Sequence, residues 1–340
     1  MSTGFTRSPT SSFRAGDLVE VRSRDEILAT LDEHGRLEGL PFMPEMLQFC
    51  GRRIRVQSRA HKTCDTVLAS GFRRMENAVH LSELRCDGVG HGGCQAACLL
   101  FWKTAWLRSV DDDSPVGDPS AATENRSDVG VSVADARAMA VARGTRGAST
   151  AEGQTTYSCQ ATELRRATSE LHWLDVRQYA QDLESRNVDF RRFARGILIL
   201  LLNKFQAANR RYLPRVTLIS GGRRYPFVSG KLEGKTPKEN LNLQPGEFVR
   251  IKSKEEIEAT LDRDNKNRGL LFDGVMSKYC GKTARVRARV TKIINERTGV
   301  MIHFENECIM LDDVVCTGDY MQFCPRRIYD YWREIWLERV

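Results

Sequence analysis

One short stretch of the chain concentrates side chains that could do chemistry. Residues 85–102 read RCDGVGHGGCQAACLLFW, which places Cys86, His91, Cys94 and Cys98 in a C-x4-H-x2-C-x3-C spacing. Thiolates and imidazoles are ligands that zinc prefers, and glycines let a loop wrap closely around an ion. The stretch therefore predicts a metal site formed by these four side chains.

Two kinds of metal centre fit this set of residues. The three cysteines with His91 could hold Zn, whereas Cys86, Cys94 and Cys98 with one outside thiolate could hold an iron–sulfur cluster. Cys159, in YSCQATE, is the candidate for that outside ligand. The spacing matches no standard zinc-finger or ferredoxin pattern, so a redox-active thiol and plain buried cysteines stay open as alternatives.

Composition predicts a soluble protein of more than one domain. The chain has 340 residues, 41% of them hydrophobic, and its start shows no apolar run of the secretory type. The longest aliphatic run, Ile197 to Leu202, is too short for a membrane span. We expect a cytoplasmic location, where ten cysteines indicate thiol or metal chemistry rather than a disulfide framework.

A duplication organises the chain. GDLVEVRSRDEILATLDEHG, from Gly16, matches GEFVRIKSKEEIEATLDRDN, from Gly246, at an offset of 230 residues without a gap. The match continues to the end of both copies, where it pairs cysteines with cysteines and tryptophans with tryptophans. Each copy has the size of one small domain.

The second copy repeats only part of the metal-ligand pattern. It keeps a possible second thiol pair, Cys316 and Cys324, but has Met321 and Ile328 in place of the histidine and the last cysteine. Pro325 is typical of a first helical position, so we expect Cys324 at a helix N-terminus. Either both copies contribute to one shared site, or the second copy is a structural partner.

The patterns predict an α+β fold of two tandem-duplicated SH3-like small β-barrel modules. Each module begins with an alternating strand and a short helix introduced by a Ser-x-x-Glu capping box. Tryptophans four residues apart predict a C-terminal helix that closes each module. A helical insertion joins the modules. The predicted boundaries are 1–14 for a disordered tail, 15–108 for repeat 1, 109–155 for a flexible linker, 156–212 for the helical segment, 213–244 for a basic connector and 245–340 for repeat 2.

Positive charge lies mainly in the middle of the chain. The net charge is +8, yet residues 186–238 alone hold thirteen Lys or Arg and two acids. Arginines next to tyrosine and phenylalanine are typical of nucleic-acid binding, where guanidinium groups contact phosphates and rings stack on bases. A nucleic-acid or partner-protein contact is therefore the alternative function. Its candidate residues are Arg210, Arg211, Arg215, Arg223 and Arg224.

The closing signatures RCDGVGHGGCQAACLLFWKTAWL and FCPRRIYDYWREIWLERV, with CQATEL and LNLQPGEFVRIKS, resemble an uncharacterised bacterial family of tandem-repeat proteins. The resemblance covers the chain apart from the tail and the linker. It implies a role in a biosynthetic gene cluster, with a small-molecule or protein partner from that pathway. The protein is thus expected to be a metalloenzyme or a metal-binding accessory factor, and a cysteine-based redox protein is a further alternative.

Overall fold

A computed structural model describes residues 12–68, 71–110, 133–150, 153–210, 212, 214 and 217–340. The fold is mixed α+β with several antiparallel sheets, so the predicted fold class is confirmed at that level. The chain divides into two compact units. The first contains the described parts of Met1–Cys94, Cys98–Asn187 and Ile294–Met301, and the second contains Gln95–Ala97, Val188–Ile293 and Ile302–Val340.

The first unit is built from twelve described strands and three α-helices. The strands are β1 (Leu18–Val21), β2 (Arg36–Leu37), β3 (Leu40–Pro41), β4 (Arg53–Arg59), β5 (Lys62–Cys64), β6 (Phe72–Met75), β7 (Ala78–Arg85), β8 (Leu99–Lys103), β9 (Leu107–Ser109), β10 (Arg146–Ser149), β11 (Thr155–Tyr157) and β12 (Thr168–Leu171). The helices are α1 (Arg24–Thr30), α2 (Val133–Arg143) and α3 (Arg177–Glu184). Short 3-10 helices span Pro44–Phe49, Val89–His91 and Thr104–Trp106.

The main sheet of the first unit has the strand order β8-β7-β4-β1-β9. A second sheet pairs β12, β6 and β5, and three-residue or shorter ladders join β2 to β3 and β10 to β11. The predicted opening strand is β1, whose residues alternate between half-buried and buried because successive side chains point to opposite faces of the sheet. The predicted capping box is confirmed, because the Ser23 side chain accepts the Glu26 backbone N–H while the Glu26 carboxylate accepts the Ser23 N–H.

The second unit repeats the main sheet. Its helices are α4 (Phe190–Asn209) and α5 (Lys254–Glu258), and its strands are β13 (Phe248–Ile251), β14 (Lys266–Asn267), β15 (Leu270–Leu271), β16 (Thr283–Ile294), β17 (Met301–Val315), β18 (Tyr329–Trp332) and β19 (Leu337–Arg339). Short 3-10 helices span Ile219–Gly222, Gly274–Tyr279 and Glu334–Trp336.

The two main sheets agree in order and in register. The order β18-β17-β16-β13-β19 reproduces that of the first unit strand for strand. Leu18 faces Arg55 and Phe248 faces Arg285, which is the same pairing displaced by 230 residues. A one-residue slip would turn every side chain to the opposite face, so this agreement means that both copies bury equivalent positions.

The predicted closing helices are wrong. Residues Leu99–Lys103 form β8, paired with β7, and Tyr329–Trp332 form β18, paired with β17. All five residues of β8 are buried, and an isolated amphipathic helix would have left one face of them in solvent. Cys94, Cys98 and Cys324 consequently lie outside any helix, and the expected helix N-terminus at Pro325 is absent from this described region.

The tryptophans four residues apart meet in a core, though not on a helix face. Trp102 lies in β8 and Trp106 ends the following 3-10 turn, and both indoles are fully buried. Phe42 packs edge-on against both rings, with centroid separations of 6.2 and 5.1 Å. The Trp106 Nε1–H donates to Thr30 Oγ1 at 3.1 Å, which satisfies the buried indole nitrogen.

The second unit repeats this arrangement with equivalent residues. Phe272 packs edge-on against Trp332 and Trp336, and Trp336 Nε1–H donates to Thr260 Oγ1 at 2.9 Å. The segment 156–212, predicted to be helical, contains α4, and α2 lies within the predicted linker 109–155. Residues 1–11 of the predicted tail and residues 111–132 of the linker lie outside the described part of the chain. No described helix is long and apolar enough to cross a membrane.

Phe42→Ala should lower the free energy of unfolding by about 3–5 kcal/mol, because it removes the ring between two buried indoles. Urea unfolding followed by tryptophan fluorescence measures this loss. The control is Leu68→Ala, at a side chain that is 48% exposed, and it should change stability by about 0.5 kcal/mol or less. Equal effects of the two substitutions would contradict the role given to Phe42.

Candidate metal centre

The cysteine-rich loop of the first unit is shaped by glycines and backbone hydrogen bonds. Gly88 has φ +74°, and a Cβ atom there would lie 2.0 Å from the carbonyl oxygen of Cys94. The Gly88 carbonyl accepts the N–H groups of His91 and Gly93. The Cys86 N–H donates to the Cys98 carbonyl at 2.8 Å, which closes the loop at its base. Glycine is therefore required at position 88 for this loop to fold.

Three potential ligands converge above this loop. Cys86 follows β7, His91 ends the 3-10 helix Val89–His91, and Glu45 lies in the 3-10 helix Pro44–Phe49. One ligand atom from each side chain lies within 4.8 Å of the other two. Cys86 Sγ and His91 Nε2 are 3.2 Å apart. Sulfur, nitrogen and oxygen ligands around one zinc ion require similar separations, because each metal–ligand bond is about 2.0–2.3 Å long.

The cluster is buried, and three of its polar atoms lack a hydrogen-bond partner among the described residues. Glu45 is 9% exposed and His91 1% exposed. Neither carboxylate oxygen of Glu45, nor Nδ1 of His91, has a hydrogen-bond partner with acceptable geometry among the described residues. Buried polar atoms are nearly always satisfied by protein, water or an ion. These atoms are therefore available to a water molecule or an ion.

Burial shifts the pKa of each of the three groups in the direction that favours its neutral form. Burial raises the pKa of the Glu45 carboxyl and lowers that of the His91 imidazole. Burial, and then the neighbouring Glu45, Cys98 and Cys159 groups, raise the pKa of the Cys86 thiol far above its usual range. Burial and mutual repulsion oppose the ionisation of Glu45 and Cys86, and a nearby divalent cation would favour it by supplying positive charge.

The other sequence-predicted ligands lie close by but outside the cluster of three. Cys98 and Cys159 are near enough to Cys86 for their charges to raise its pKa. Burial raises the pKa of Cys159 itself to about 11. Cys94 Sγ accepts the backbone N–H of Ile294 at 3.4 Å, so this thiol already has a hydrogen-bond partner. None of the ten cysteines, all within the described residues, forms a disulfide bond.

The second unit has the same loop without the cluster. Gly318 has the φ of Gly88, and the Cys316 N–H donates to the Ile328 carbonyl at 2.8 Å, as Cys86 does to Cys98. Cys324, like Cys94, packs its backbone against the loop glycine. Among the described residues, no group of three ligands includes Cys316 or Cys324. The shared cysteine pair thus belongs to the loop that both units have.

Glu45 is a potential ligand that sequence reasoning missed. Its counterpart in the second copy is Val275, just as the counterpart of His91 is Met321. Both acquire an apolar residue in the copy that lacks the cluster. The sequence signal for Glu45 is therefore the same as that for His91: a polar residue in one copy faces an apolar residue at the matching position of the other copy.

The arginines predicted for nucleic-acid contact are partly described. Arg210, Arg223 and Arg224 are exposed. The Arg210 side chain lies near Gly222. Burial, and then the positive charge of Arg224, lower the pKa of Lys204. These residues form a local basic patch in the second unit. Arg211 and Arg215 lie outside the described residues.

Comparisons with protein-family models, with curated proteins and with solved structures gave no match to this chain. The resemblance to a bacterial tandem-repeat family therefore stays a prediction.

Glu45→Gln should stabilise the metal-free protein near neutral pH. Because burial raises the pKa of Glu45, the folded state holds this proton more tightly than the unfolded state, whose carboxyl titrates near about 4.3. The carboxyl's contribution to stability is complete below that value and is lost as the pH rises through the folded-state pKa. The substitution removes this loss, so it should gain on the order of 1 kcal/mol at pH about 7 relative to pH about 4.

Urea unfolding of the metal-free protein at the two pH values measures the difference. Glu33→Gln is the control, because the Glu33 side chain is 86% exposed and should show no such change. A Glu45→Gln variant that is equally destabilised at both pH values would contradict the assignment of Glu45 as a buried carboxyl without a partner.

Proposed function

We propose that the protein binds one zinc ion in its first unit through Glu45, Cys86 and His91. The observation that carries the proposal is the buried cluster whose carboxylate and imidazole atoms have no other partner among the described residues. The mixture of sulfur, nitrogen and oxygen ligands suits zinc better than a cluster of iron and sulfide, which is held mainly by thiolates.

Cys98 is the candidate for a fourth ligand. It lies at the base of the same loop and is near enough to influence the Cys86 thiol. Four protein ligands would make a closed, structural site that ties the loop to the 3-10 helix Pro44–Phe49. Three protein ligands with a water molecule would make an open site able to activate that water. The burial of Glu45 and His91 favours the closed form.

The fold family, location and pathway of the protein are further proposals. We propose that the two matching five-stranded antiparallel sheets are SH3-like modules, because they share strand order and register. A cytoplasmic role as a metal-binding accessory factor or metalloenzyme of a bacterial biosynthetic pathway rests on the sequence resemblance. The basic patch at Arg210, Arg223 and Arg224 leaves a nucleic-acid or protein partner as an alternative without a specific structural observation in its favour.

Purified protein should contain one zinc per chain and be colourless. Titration against a chelator should show that Cys86→Ser and His91→Ala each weaken zinc binding by at least about a hundredfold. The matched control is Cys316→Ser, which alters the equivalent loop cysteine of the second unit and should bind zinc as the wild type does. Cobalt(II) in place of zinc should show thiolate charge-transfer absorption that Cys86→Ser abolishes.

Other outcomes of the same measurements separate the alternatives. A brown protein with iron and sulfide, prepared without oxygen, would replace zinc by a cluster and would require Cys98 or Cys159 as ligands. A Cys98→Ser variant that weakens zinc as much as Cys86→Ser would establish the closed site. Folded protein that takes up neither metal would overturn the proposal.

Zinc affinity should increase with pH. Burial raises the pKa of the Cys86 thiol far above its usual range, so this thiol must release a proton when the metal binds. Burial also raises the pKa of Glu45, which makes protons compete more strongly with the metal for its carboxylate. Zinc titration in buffers of different ionisation enthalpy should report proton release, with tighter binding at pH about 8 than at pH about 6. Binding that is independent of pH would argue against these two ligands.

A further inference from the structure

A polar cavity lies in the first unit, separate from the proposed metal ligands. It has a volume of about 220 Å³ and shares no lining residue with the Glu45–Cys86–His91 cluster. The elements around it are the end of β4, the turn between β6 and β7, and α3. Its main polar lining residues are Arg59, His61, Arg74, Asn77, Arg177 and Gln178.

Positive charge exceeds negative charge around this cavity. Arg177 donates from Nε and Nη2 to the Asp175 carboxylate at 2.9 and 2.8 Å, and Arg74 donates to the same carboxylate. One carboxylate thus serves two guanidinium groups, and the Arg177 hydrogen bond holds the pKa of Asp175 well below its usual range. Arg59 donates to Ser12 Oγ and has no carboxylate partner among the described residues. Glu76 is the single acidic residue in the described lining.

Two buried side chains beside the cavity have unused acceptor atoms. His61 Nε2 lies 3.1 Å from the Gln178 carbonyl oxygen and 3.2 Å from Asp182 Oδ1, so it carries the ring proton and leaves Nδ1 as an acceptor in the neutral ring. Gln178 Nε2 donates to the His172 carbonyl, which fixes Oε1 as the other free atom. Neither His61 Nδ1 nor Gln178 Oε1 has a partner among the described residues.

The duplication supplies an internal comparison. The second unit has a cavity of about 260 Å³ lined by Arg289, Glu305, Asn306 and Glu307, at an offset of 230 from Arg59, Met75, Glu76 and Asn77. The cavity is therefore a property of the repeated fold.

Its charge differs between the two units. Arg289 donates to Glu307 and, at 2.9 Å, to Glu334, so two carboxylates neutralise it. Phe304 stands in place of Arg74. Only in the first unit do the described residues leave the equivalent arginine free of a carboxylate.

We propose that the cavity of the first unit binds a small hydroxylated anion, a compound with one phosphate or carboxylate group and neighbouring hydroxyls. The anionic group meets Arg59, with Arg74 and Arg177 adding positive charge and guanidinium donors. The hydroxyls donate to His61 Nδ1 and Gln178 Oε1, which would otherwise stay buried without partners. This site is independent of the metal centre.

Isothermal titration of the full chain tests the proposal with four probes. Glycerol 3-phosphate and glycerate carry both an anion and hydroxyls, inorganic phosphate carries the anion alone, and glycerol carries the hydroxyls alone. Binding by one or both hydroxylated anions should exceed that of phosphate, and glycerol should not bind measurably. The better of the first two identifies the anionic group.

Matched variants locate the binding site. Arg59→Gln should weaken binding about tenfold or more, Arg59→Lys should weaken it less, and Arg289→Gln, the same change in the second unit, should leave it unchanged. Circular dichroism confirms that each variant is folded. The proposal is overturned if neither hydroxylated anion binds, if phosphate binds as tightly as they do, or if Arg289→Gln weakens binding as much as Arg59→Gln. Removal of zinc should not alter these affinities.

Discussion

The packing of one phenylalanine between two tryptophans is the constraint on which each unit depends. Phe42 contacts Trp102 and Trp106, and burial of these three rings requires the chain after residue 98 to run as a strand beside β7. That strand brings the Cys98 carbonyl to the Cys86 N–H and so closes the loop that carries His91. Large buried aromatic rings contribute several kcal/mol each, so this core determines where the loop begins and ends.

The loop is common to both units, whereas the potential metal ligands are not. Both units keep the loop, with a left-handed glycine at position 88 or 318 and a cysteine on either side of it. Only the first unit has Glu45 and His91, and hydrogen bonds among the described residues offset the desolvation cost of burying them only in part. The second unit has apolar side chains at both positions and avoids that cost. Among the described residues, the cluster of potential ligands is therefore confined to the first unit.

The paired cavities follow the same logic. The fold produces a cavity in each unit at equivalent positions, but the charges that surround it are set residue by residue. In the second unit, Glu307 and Glu334 neutralise Arg289, and in the first unit Arg59 has no carboxylate partner among the described residues. Both units therefore keep the same architecture, while the charges around the cavity differ between them.

The sequence by itself determined the duplication, the α+β class, the opening strands, the capped short helices and the helix that is α4. These features depend on local patterns: alternation, caps and helical spacing of apolar residues. It also singled out Cys86 and His91. Tertiary structure alone decided the rest, because the tryptophan spacing of four fits a helix locally and a strand followed by a turn globally. Glu45 and Cys86 are 41 residues apart in the sequence, and the packing of the 3-10 helix Pro44–Phe49 against the loop brings them together. Such convergence depends on long-range contacts, which local sequence patterns do not record.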